Sequence, residues 1–326
     1  MRKFIGSEYS ALDAFTLSEG EIPQPAEGEV RLKVEATALG FVDGLIALDR
    51  YQIRPPLPYV PGGEIAGTVD ATGPGVDVVQ VGDRVATWQL GGGLAEYVTV
   101  DARTVDKIPA GLDATTAAAM LVDYQTAHYA LFERGQLRPG ETVLVLGATG
   151  GVGSAAVQLA ARAGAFVIAA ASTERKREMA RQLGAAATID SRAPDLRTQL
   201  KAAAPRGTVD VIVDPVGGEI FEAMFRSLAK EGRHLVLGFA GGSIPSLPAN
   251  LPLLKSASLV GVEIRHFLAS QPVKAQEVRT ALFESVVSGT LRPPAVTTFL
   301  LDRATEALAA TMRRDKSGKI VVLPTG

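Results

Sequence analysis

Apolar and polar residues alternate in short runs through the first third of the chain. In residues 29–36, Val30, Leu32 and Val34 fall on one face of an extended strand. Segments rich in proline and glycine follow such runs, and these segments favour turns. The pattern therefore predicts a β-rich N-terminal region. Its further strands are expected at 63–72, 82–87 and 96–100.

From Asp113 onward, helical segments alternate with short apolar runs. Residues 113–132 are rich in alanine, and Asp113 is suited to cap the start of a helix. This alternation predicts a parallel sheet with helices on both faces. The strands are expected at 142–146, 165–171, 209–214, 234–239 and 259–264, and the helices at 174–183, 195–204 and 220–229.

The C-terminal segment returns to a mixed pattern. It predicts helices at 274–288 and 303–312, and strands at 297–301 and 319–323. We expect this segment to fold back onto the N-terminal region, so that the β-rich domain is discontinuous.

A glycine-rich turn joins the predicted strand 142–146 to a helical segment of small residues. Its glycines are Gly147, Gly150, Gly151 and Gly153. Because glycine has no Cβ atom, such a turn bends tightly and brings backbone N–H groups close to a dinucleotide pyrophosphate. The alternative interpretation is a plain tight turn with close helix packing.

The residues after the next strand favour NADPH over NADH. A site for NAD normally places a carboxylate here, which accepts from the ribose 2′-hydroxyl. Instead, Ser172 and Thr173 follow the strand, and Arg175, Lys176 and Arg177 begin the next helix. A hydroxyl group with cations at a helix N-terminus suits a 2′-phosphate. Alternatively, Ser172 or Thr173 only caps the helix and the basic residues form a solvated face.

Length and charge narrow the class of protein. A chain of 326 residues suggests two domains, and a net charge of -2 argues against a general nucleic-acid binder. The N-terminus has no apolar signal region, and no apolar run reaches the ~20 residues that cross a bilayer. We therefore expect a cytoplasmic protein with neither a membrane nor a nucleic acid as partner.

The chain has no cysteine and only three histidines, His128, His234 and His266. It therefore offers no thiol nucleophile and no cysteine ligand for zinc. Because the histidines lie far apart, we expect them to pack in the core or lie at the surface, and we predict no metal site.

Several short motifs follow one another along nearly the whole chain. They are LGFVD at 39–43, PPLP at 55–58, PGGE at 61–64, VGDRV at 81–85, GGLAEY at 92–97, YQTA at 124–127, DPVGG at 214–218 and GKIV at 318–321. Their order and spacing resemble the zinc-free medium-chain dehydrogenase/reductases of the quinone oxidoreductase group. This resemblance implies a doubly wound Rossmann α/β domain at 123–268, and a discontinuous GroES-like catalytic domain at 1–122 and 269–326, with a cleft between them.

The zinc-dependent members of this superfamily carry a zinc-binding histidine where this chain has Gly63. Their cysteine ligand is absent as well. The resemblance therefore implies a reductase that works without zinc.

The resemblance also implies a set of cofactor contacts. Those expected are Gly150, Gly151 and Val152 at the pyrophosphate, Ser172 and Lys176 at the 2′-phosphate, Thr126 and Phe239 near the nicotinamide, and Lys319 from the returning tail. Two positions depart from the family. Gly40 replaces an asparagine that helps to position substrate, although Asp43 is retained. Ser191 replaces a tyrosine of some members, and the adjacent Arg192 is then a further candidate for binding phosphate.

The chemistry implied is hydride transfer from NADPH to a quinone, because the cofactor performs the difficult step and the protein positions the acceptor. The alternative is reduction of an enone or enoyl thioester, whose enolate needs a proton donor. Tyr51 is the best candidate donor, with a role as an aromatic wall equally open. We take Tyr51 and Asp43 as the candidate catalytic residues.

Two further expectations concern assembly and class. A non-catalytic NADPH-binding protein is the less favoured reading. The predicted strand 259–264 is a possible sheet edge, and its pairing across a two-fold axis would give a homodimer.

Overall fold

The computed structural model describes residues 1–313 and 315–325, and the chain divides into two compact units. The first unit comprises Met1–Val122 and Gln276–Gly326, and the second unit comprises Asp123–Ala275. No helix within the described ranges is both long and apolar enough to span a bilayer.

The first part of the chain is rich in short strands. Its elements are β1 (Arg2–Gly6), β2 (Phe15–Glu19), β3 (Glu29–Leu39), α1 (Phe41–Ala47), β4 (Glu64–Thr72), β5 (Arg84–Trp88), β6 (Tyr97–Asp101), β7 (Asp106–Lys107) and α2 (Ala114–His128). The side chain of Asp113 accepts from the backbone N–H of Thr116 at 2.8 Å, which confirms it as the cap of α2. A wide helical turn, Tyr129–Arg134, extends α2.

The rest of the chain begins with alternating strands and helices. Its elements are β8 (Thr142–Val145), α3 (Gly151–Arg162), β9 (Phe166–Ala171), α4 (Glu174–Gln182), β10 (Ala187–Asp190), α5 (Leu196–Ala203), β11 (Val209–Asp214), α6 (Phe221–Phe225), β12 (Leu228–Val236), α7 (Asn250–Lys255), β13 (Ser258–Gly261), α8 (Ile264–Ser270), α9 (Pro272–Val287), β14 (Val296–Leu300), α10 (Ala304–Thr311) and β15 (Lys319–Leu323).

The second unit contains a six-stranded sheet in the order β10-β9-β8-β11-β12-β13. All neighbouring strands are parallel. This is the strand order of a Rossmann fold, with its switch point between β8 and β11. The central strands β8 and β11 are nearly continuous apolar runs, as expected of parallel strands buried on both faces.

The first unit contains a seven-stranded sheet in which β14, β15, β3, β4, β5 and β7 are successive neighbours and β6 pairs with β3. Strand β15 from the C-terminal tail runs antiparallel to β3, with Val321 opposite Ala38. The tail therefore completes the sheet of the N-terminal region.

Three predicted elements are wrong in part. The strand expected at 234–239 is β12, which begins at Leu228 and ends at Val236. The helix expected at 220–229 ends at Phe225, because Leu228 begins β12 and pairs with Val209. The strand expected at 259–264 ends at Gly261. The carboxylate of Glu263 accepts the N–H groups of Arg265 and His266, and α8 starts there instead.

Candidate active site

The glycine turn after β8 lies at the switch point of the six-stranded sheet. Gly147 has φ +59°, in the left-handed region that favours glycine, and Gly150 caps the N-terminus of α3. A Cβ atom at Gly153 would overlap the carbonyl oxygen of Gly147. The turn therefore keeps Cβ atoms away from the backbone at the start of α3, as a pyrophosphate site requires.

Gly151 packs against a residue of α2 that nothing in the sequence pattern indicated. A Cβ atom at Gly151 would overlap the carboxylate of Asp123, which lies in α2. Packing against Asp123 therefore requires glycine at this position, whatever the cofactor. Val152 follows in the first turn of α3 and is half-buried.

The adjacent strand β11 ends in a tightly held loop. The carboxylate of Asp214 accepts the N–H groups of Val216 and Gly217, each at 2.8 Å, and lies 2.8 Å from Nε2 of His234. Both His234 and Asp214 are fully buried. Phe239, 36% exposed, lies 2.8 Å from the place of a Cβ atom at Gly217, which has φ +61°. The Asp214 carboxylate thus fixes the loop on which Phe239 rests.

Thr126 lies in α2 and is 7% exposed, and its Oγ1 is buried without a hydrogen-bond partner. A buried hydroxyl of this kind is ready to bond a polar ligand group. Nearby in sequence, the hydroxyl of Tyr124 accepts from Gln158 of α3 at 3.0 Å, and burial raises the pKa of Tyr124 to about 12. Tyr124 is therefore a core residue that ties α2 to α3.

The residues predicted to bind the 2′-phosphate, Ser172, Lys176 and Arg192, follow β9 and β10 in the chain. The hydroxyl of Thr173 caps α4 by accepting from the N–H of Lys176 at 3.3 Å, so the cap is Thr173 rather than Ser172. The side chain of Lys176 is largely buried. Arg177 pairs with Glu174 at 2.9 Å and with Asp190 at 3.2 Å, and these two carboxylates neutralise it.

Arg192 lies just beyond β10 and is exposed. Its backbone N–H donates to Asp190 at 2.9 Å. Since Asp190 and Ala171 are partners across β10 and β9, Ser172 and Arg192 lie near the same carboxyl edge of the sheet.

In the first unit, Asp43 bridges two loops. Its carboxylate accepts the N–H of Gly40 at 2.7 Å and that of Gly62 at 3.1 Å. Burial raises the pKa of Asp43, although these N–H groups and the charge of Lys319 act in the opposite direction. The Asp43 carboxylate therefore ties the start of α1 to the loop that contains Gly62.

Lys319 begins β15 and is 3% exposed. Its ammonium lies 2.6 Å from the carboxylate of Glu64, which also accepts the N–H of Val122 at 3.0 Å. Beside this pair, the Cβ position of Gly40 is 3.7 Å from Glu64 and 3.8 Å from Lys319, so a side chain would fit there. Glu64 had no predicted role, because its partner lies at the other end of the chain.

Gly63 cannot be replaced without a local shift of backbone. A Cβ atom there would overlap the carbonyl oxygen of Gln89. A histidine at this position would meet the same obstacle. Among residues 1–313 and 315–325, no three His, Cys, Asp or Glu side chains are grouped as metal ligands.

Tyr51 is half-buried and packs against the apolar cluster that contains Leu39, Tyr59 and Ile320. Burial, followed by the charge of Asp43, raises the pKa of Tyr59, whose hydroxyl is buried without a hydrogen-bond partner. Tyr59 therefore belongs to the core of the first unit.

Two domain families match the chain. Residues 26–110 match the alcohol dehydrogenase GroES-like domain, and residues 151–280 match the zinc-binding dehydrogenase family. Quinone oxidoreductase-like protein 2 of Mus musculus is 36% identical over 295 residues, which are 90% of this chain and 84% of that protein. The chain belongs to the zinc-free quinone oxidoreductase family of medium-chain dehydrogenase/reductases.

Solved structures agree with this assignment. Escherichia coli quinone oxidoreductase complexed with NADPH matches with a TM-score of 0.92 at 26% identity, over 99% of this chain and 100% of that one. CurK enoyl reductase matches with a TM-score of 0.88 at 27% identity, over 99% and 98% of the two chains. The predicted fold class, a Rossmann domain plus a GroES-like domain, is confirmed.

Proposed function

We propose that this protein is an NADPH-dependent oxidoreductase that transfers hydride to quinones without a metal ion. The observation that carries the proposal is the glycine turn that leads into α3 at the switch point of the sheet, in a chain of the quinone oxidoreductase family. Gly63 supports the metal-free part, because the backbone of Gln89 leaves no room for a side chain at the zinc-ligand position.

The second unit fits NADPH. The N–H groups of Gly150, Gly151 and Val152 would hold the pyrophosphate, and the unpartnered hydroxyl of Thr126 would bond the nicotinamide end. When bound, NADPH supplies the hydride and its two electrons. Phe239, held over Gly217 by the Asp214 loop, would limit the freedom of the nicotinamide ring.

The preference for NADPH rests on charge at the tips of β9 and β10. Ser172, Lys176 and Arg192 would hold the 2′-phosphate. Asp190, which ends β10 at this edge, is already paired with Arg177 and so does not oppose a phosphate. The complex of E. coli quinone oxidoreductase with NADPH supports this choice.

The polar groups of the first unit favour a hydride acceptor whose reduction needs no strong acid catalyst. Both carboxylate oxygens of Asp43 already accept hydrogen bonds, from the N–H groups of Gly40 and Gly62. Lys319 is paired with Glu64. We propose that Tyr51 donates a proton or lines the acceptor site, and that Asp43 and Lys319 position the loops around Gly40. A quinone suits these groups, because its oxyanion product takes protons from water without a strong acid.

The second candidate is reduction of an enone or enoyl thioester, which is favoured by the match to CurK enoyl reductase. The test is NADPH oxidation with 1,4-benzoquinone and 9,10-phenanthrenequinone, compared with a panel of enones and crotonyl thioester. Turnover of quinones with a higher kcat/KM than any alkene supports the first candidate. The reverse order replaces it with the second.

We also propose a homodimer that forms through β13. This strand is the edge of the six-stranded sheet, and Leu253, Leu254 and Leu259 near it are 78%, 71% and 46% exposed. Pairing two such edges would cover the open backbone groups and the leucines. Light scattering should give twice the chain mass, and Leu259→Lys should give the monomer mass. A wild-type monomer contradicts the proposal.

A further inference from the structure

A second cluster of charged residues lies in the second unit, away from the predicted cofactor contacts. Four cations, Arg197, Lys201, Arg226 and Lys255, line one cleft together with Thr208 and other small or polar residues. Among the described residues that line this cleft, none carries a carboxylate. The chain as a whole carries a net charge of -2, so this concentration of positive charge is local.

The cleft lies at the amino edge of the six-stranded sheet. Thr208 directly precedes β11, Ser227 directly precedes β12, and Lys255 ends α7 shortly before β13. The glycine turn and the Asp214 loop follow the carboxyl ends of β8 and β11, at the opposite edge. The cation cleft is therefore separate from the predicted cofactor site.

Carboxylates of the protein balance only part of the positive charge of the cleft. Arg226 pairs with Glu222 at 2.7 Å, but Arg197 and Lys201 have no carboxylate partner in the part of the chain that the structure describes. In contrast, Arg233 and other cations of the same unit are paired with carboxylates.

Lys255 shows the same imbalance. Its ammonium donates to the carbonyl oxygen of Leu228 at 2.6 Å, which fixes its place in the cleft. Burial, and then the like charge of Arg197, lowers the pKa of Lys255. A bound anion would relieve this repulsion.

The side chain of Lys201 packs against Gly207 beside the cleft. That glycine has φ +70°, and its Cβ position is 3.5 Å from Cγ of Lys201, so the lysine stem lies across the glycine. The hydroxyl of Thr208, which also lines the cleft, adds a group that can donate to an anion.

We propose that this cleft binds the phosphate group of a small phosphorylated molecule. Lysine and arginine together with a hydroxyl group form charge-assisted hydrogen bonds to phosphate oxygens. The cleft has a volume of 410 Å³, within the range of small-ligand sites. A concave site of this size fits a small ligand better than the extended surface of an acidic protein.

The test is calorimetric titration of the full-length protein with inorganic pyrophosphate, in the presence of excess NADPH to occupy any cofactor site. We expect binding with a Kd at or below about 1 mM. Arg197→Glu and Lys201→Glu should each weaken it about tenfold or more. Lys230→Glu, which reverses an exposed cation outside the cleft, should leave it within about twofold.

Three results would overturn the proposal. One is the absence of pyrophosphate binding to the wild-type protein, and another is equal loss in Lys230→Glu and the cleft variants. The third is tighter binding of a polyglutamate peptide than of pyrophosphate with the same dependence on Lys201, which would indicate an acidic protein partner. Circular dichroism spectra of all variants should match wild type, because the three substituted side chains are exposed.

Discussion

The ammonium of Lys319 lies 2.6 Å from the carboxylate of Glu64, and the two side chains are only 4% and 5% exposed. One residue comes from the C-terminal strand β15 and the other from β4, so the pair ties the returning tail to the N-terminal sheet. Because a buried charge without its partner is strongly unfavourable, each of the two residues depends on the other.

Removing one member of this pair should destabilise the protein more than removing both. We expect Lys319→Met to lower the free energy of unfolding by about 3–5 kcal/mol, because Glu64 is left buried and charged. The double variant Lys319→Met with Glu64→Gln should recover at least half of that loss. Urea unfolding measures all three, and a double variant less stable than Lys319→Met would contradict this account.

The same substitution should be tolerated at Gly40 and destabilising at Gly63. Asparagine fits at Gly40, where the nearest atoms are 3.7 Å from the Cβ position, and asparagine is also favoured at the N-cap of α1. Gly40→Asn should therefore change the free energy of unfolding by less than about 0.5 kcal/mol. Gly63→Asn, which overlaps the backbone of Gln89, should lose about 1–3 kcal/mol or more.

The activity of Gly40→Asn gives a second readout. The new side chain fills space beside Lys319 and Glu64, so KM should rise more for 9,10-phenanthrenequinone than for the smaller 1,4-benzoquinone. Equal KM values for both quinones in the two proteins would show that Gly40 does not shape the acceptor site.

The glycine turn should separate cofactor binding from folding. A Cβ atom at Gly150 lies 3.4 Å from the nearest atom, so Gly150→Ala should fold with a loss below about 1 kcal/mol. Its methyl group should nevertheless raise the Kd for NADPH about tenfold, by blocking close approach of the pyrophosphate. Gly153→Ala should lose about 1–3 kcal/mol in stability, because its methyl group overlaps Gly147. Unchanged NADPH affinity in Gly150→Ala would place the pyrophosphate elsewhere.

Lys176 should select between the two pyridine nucleotides. Lys176→Met should raise the Kd for NADPH about tenfold and leave the Kd for NADH nearly unchanged, since only NADPH carries the 2′-phosphate. Arg175→Met removes an exposed cation of the same helical turn and should raise the Kd for NADPH less than Lys176→Met does. Fluorescence titration with both nucleotides measures the ratio. A similar loss for NADH would indicate a structural role for Lys176.

The local pattern of apolar residues predicted strands with clear ends correctly. Strands β11 and β15 have the predicted bounds, 209–214 and 319–323, because each is a short apolar run with clear ends. The prediction failed where a tertiary contact decides. Leu228 looks helical by its neighbours, but pairing with Val209 draws it into β12.

The site shows the same division. The glycine turn could be predicted from the sequence because the conformation of the local backbone requires glycine. Gly147, with its positive φ, is an example. The ion pair of Glu64 with Lys319 was not visible, because the two residues are far apart in the chain and only the fold joins them. Asp123, which faces Gly151, lacked any local signal for the same reason.

The most direct test of the central claim is quinone-dependent oxidation of NADPH by protein that has been dialysed exhaustively against EDTA. We predict that one NADPH is consumed for each 1,4-benzoquinone reduced. The rate should be the same before and after the dialysis, and added zinc should not increase it. A protein that binds NADPH but accelerates neither quinone nor alkene reduction, or that is active only after zinc is added, would contradict this account.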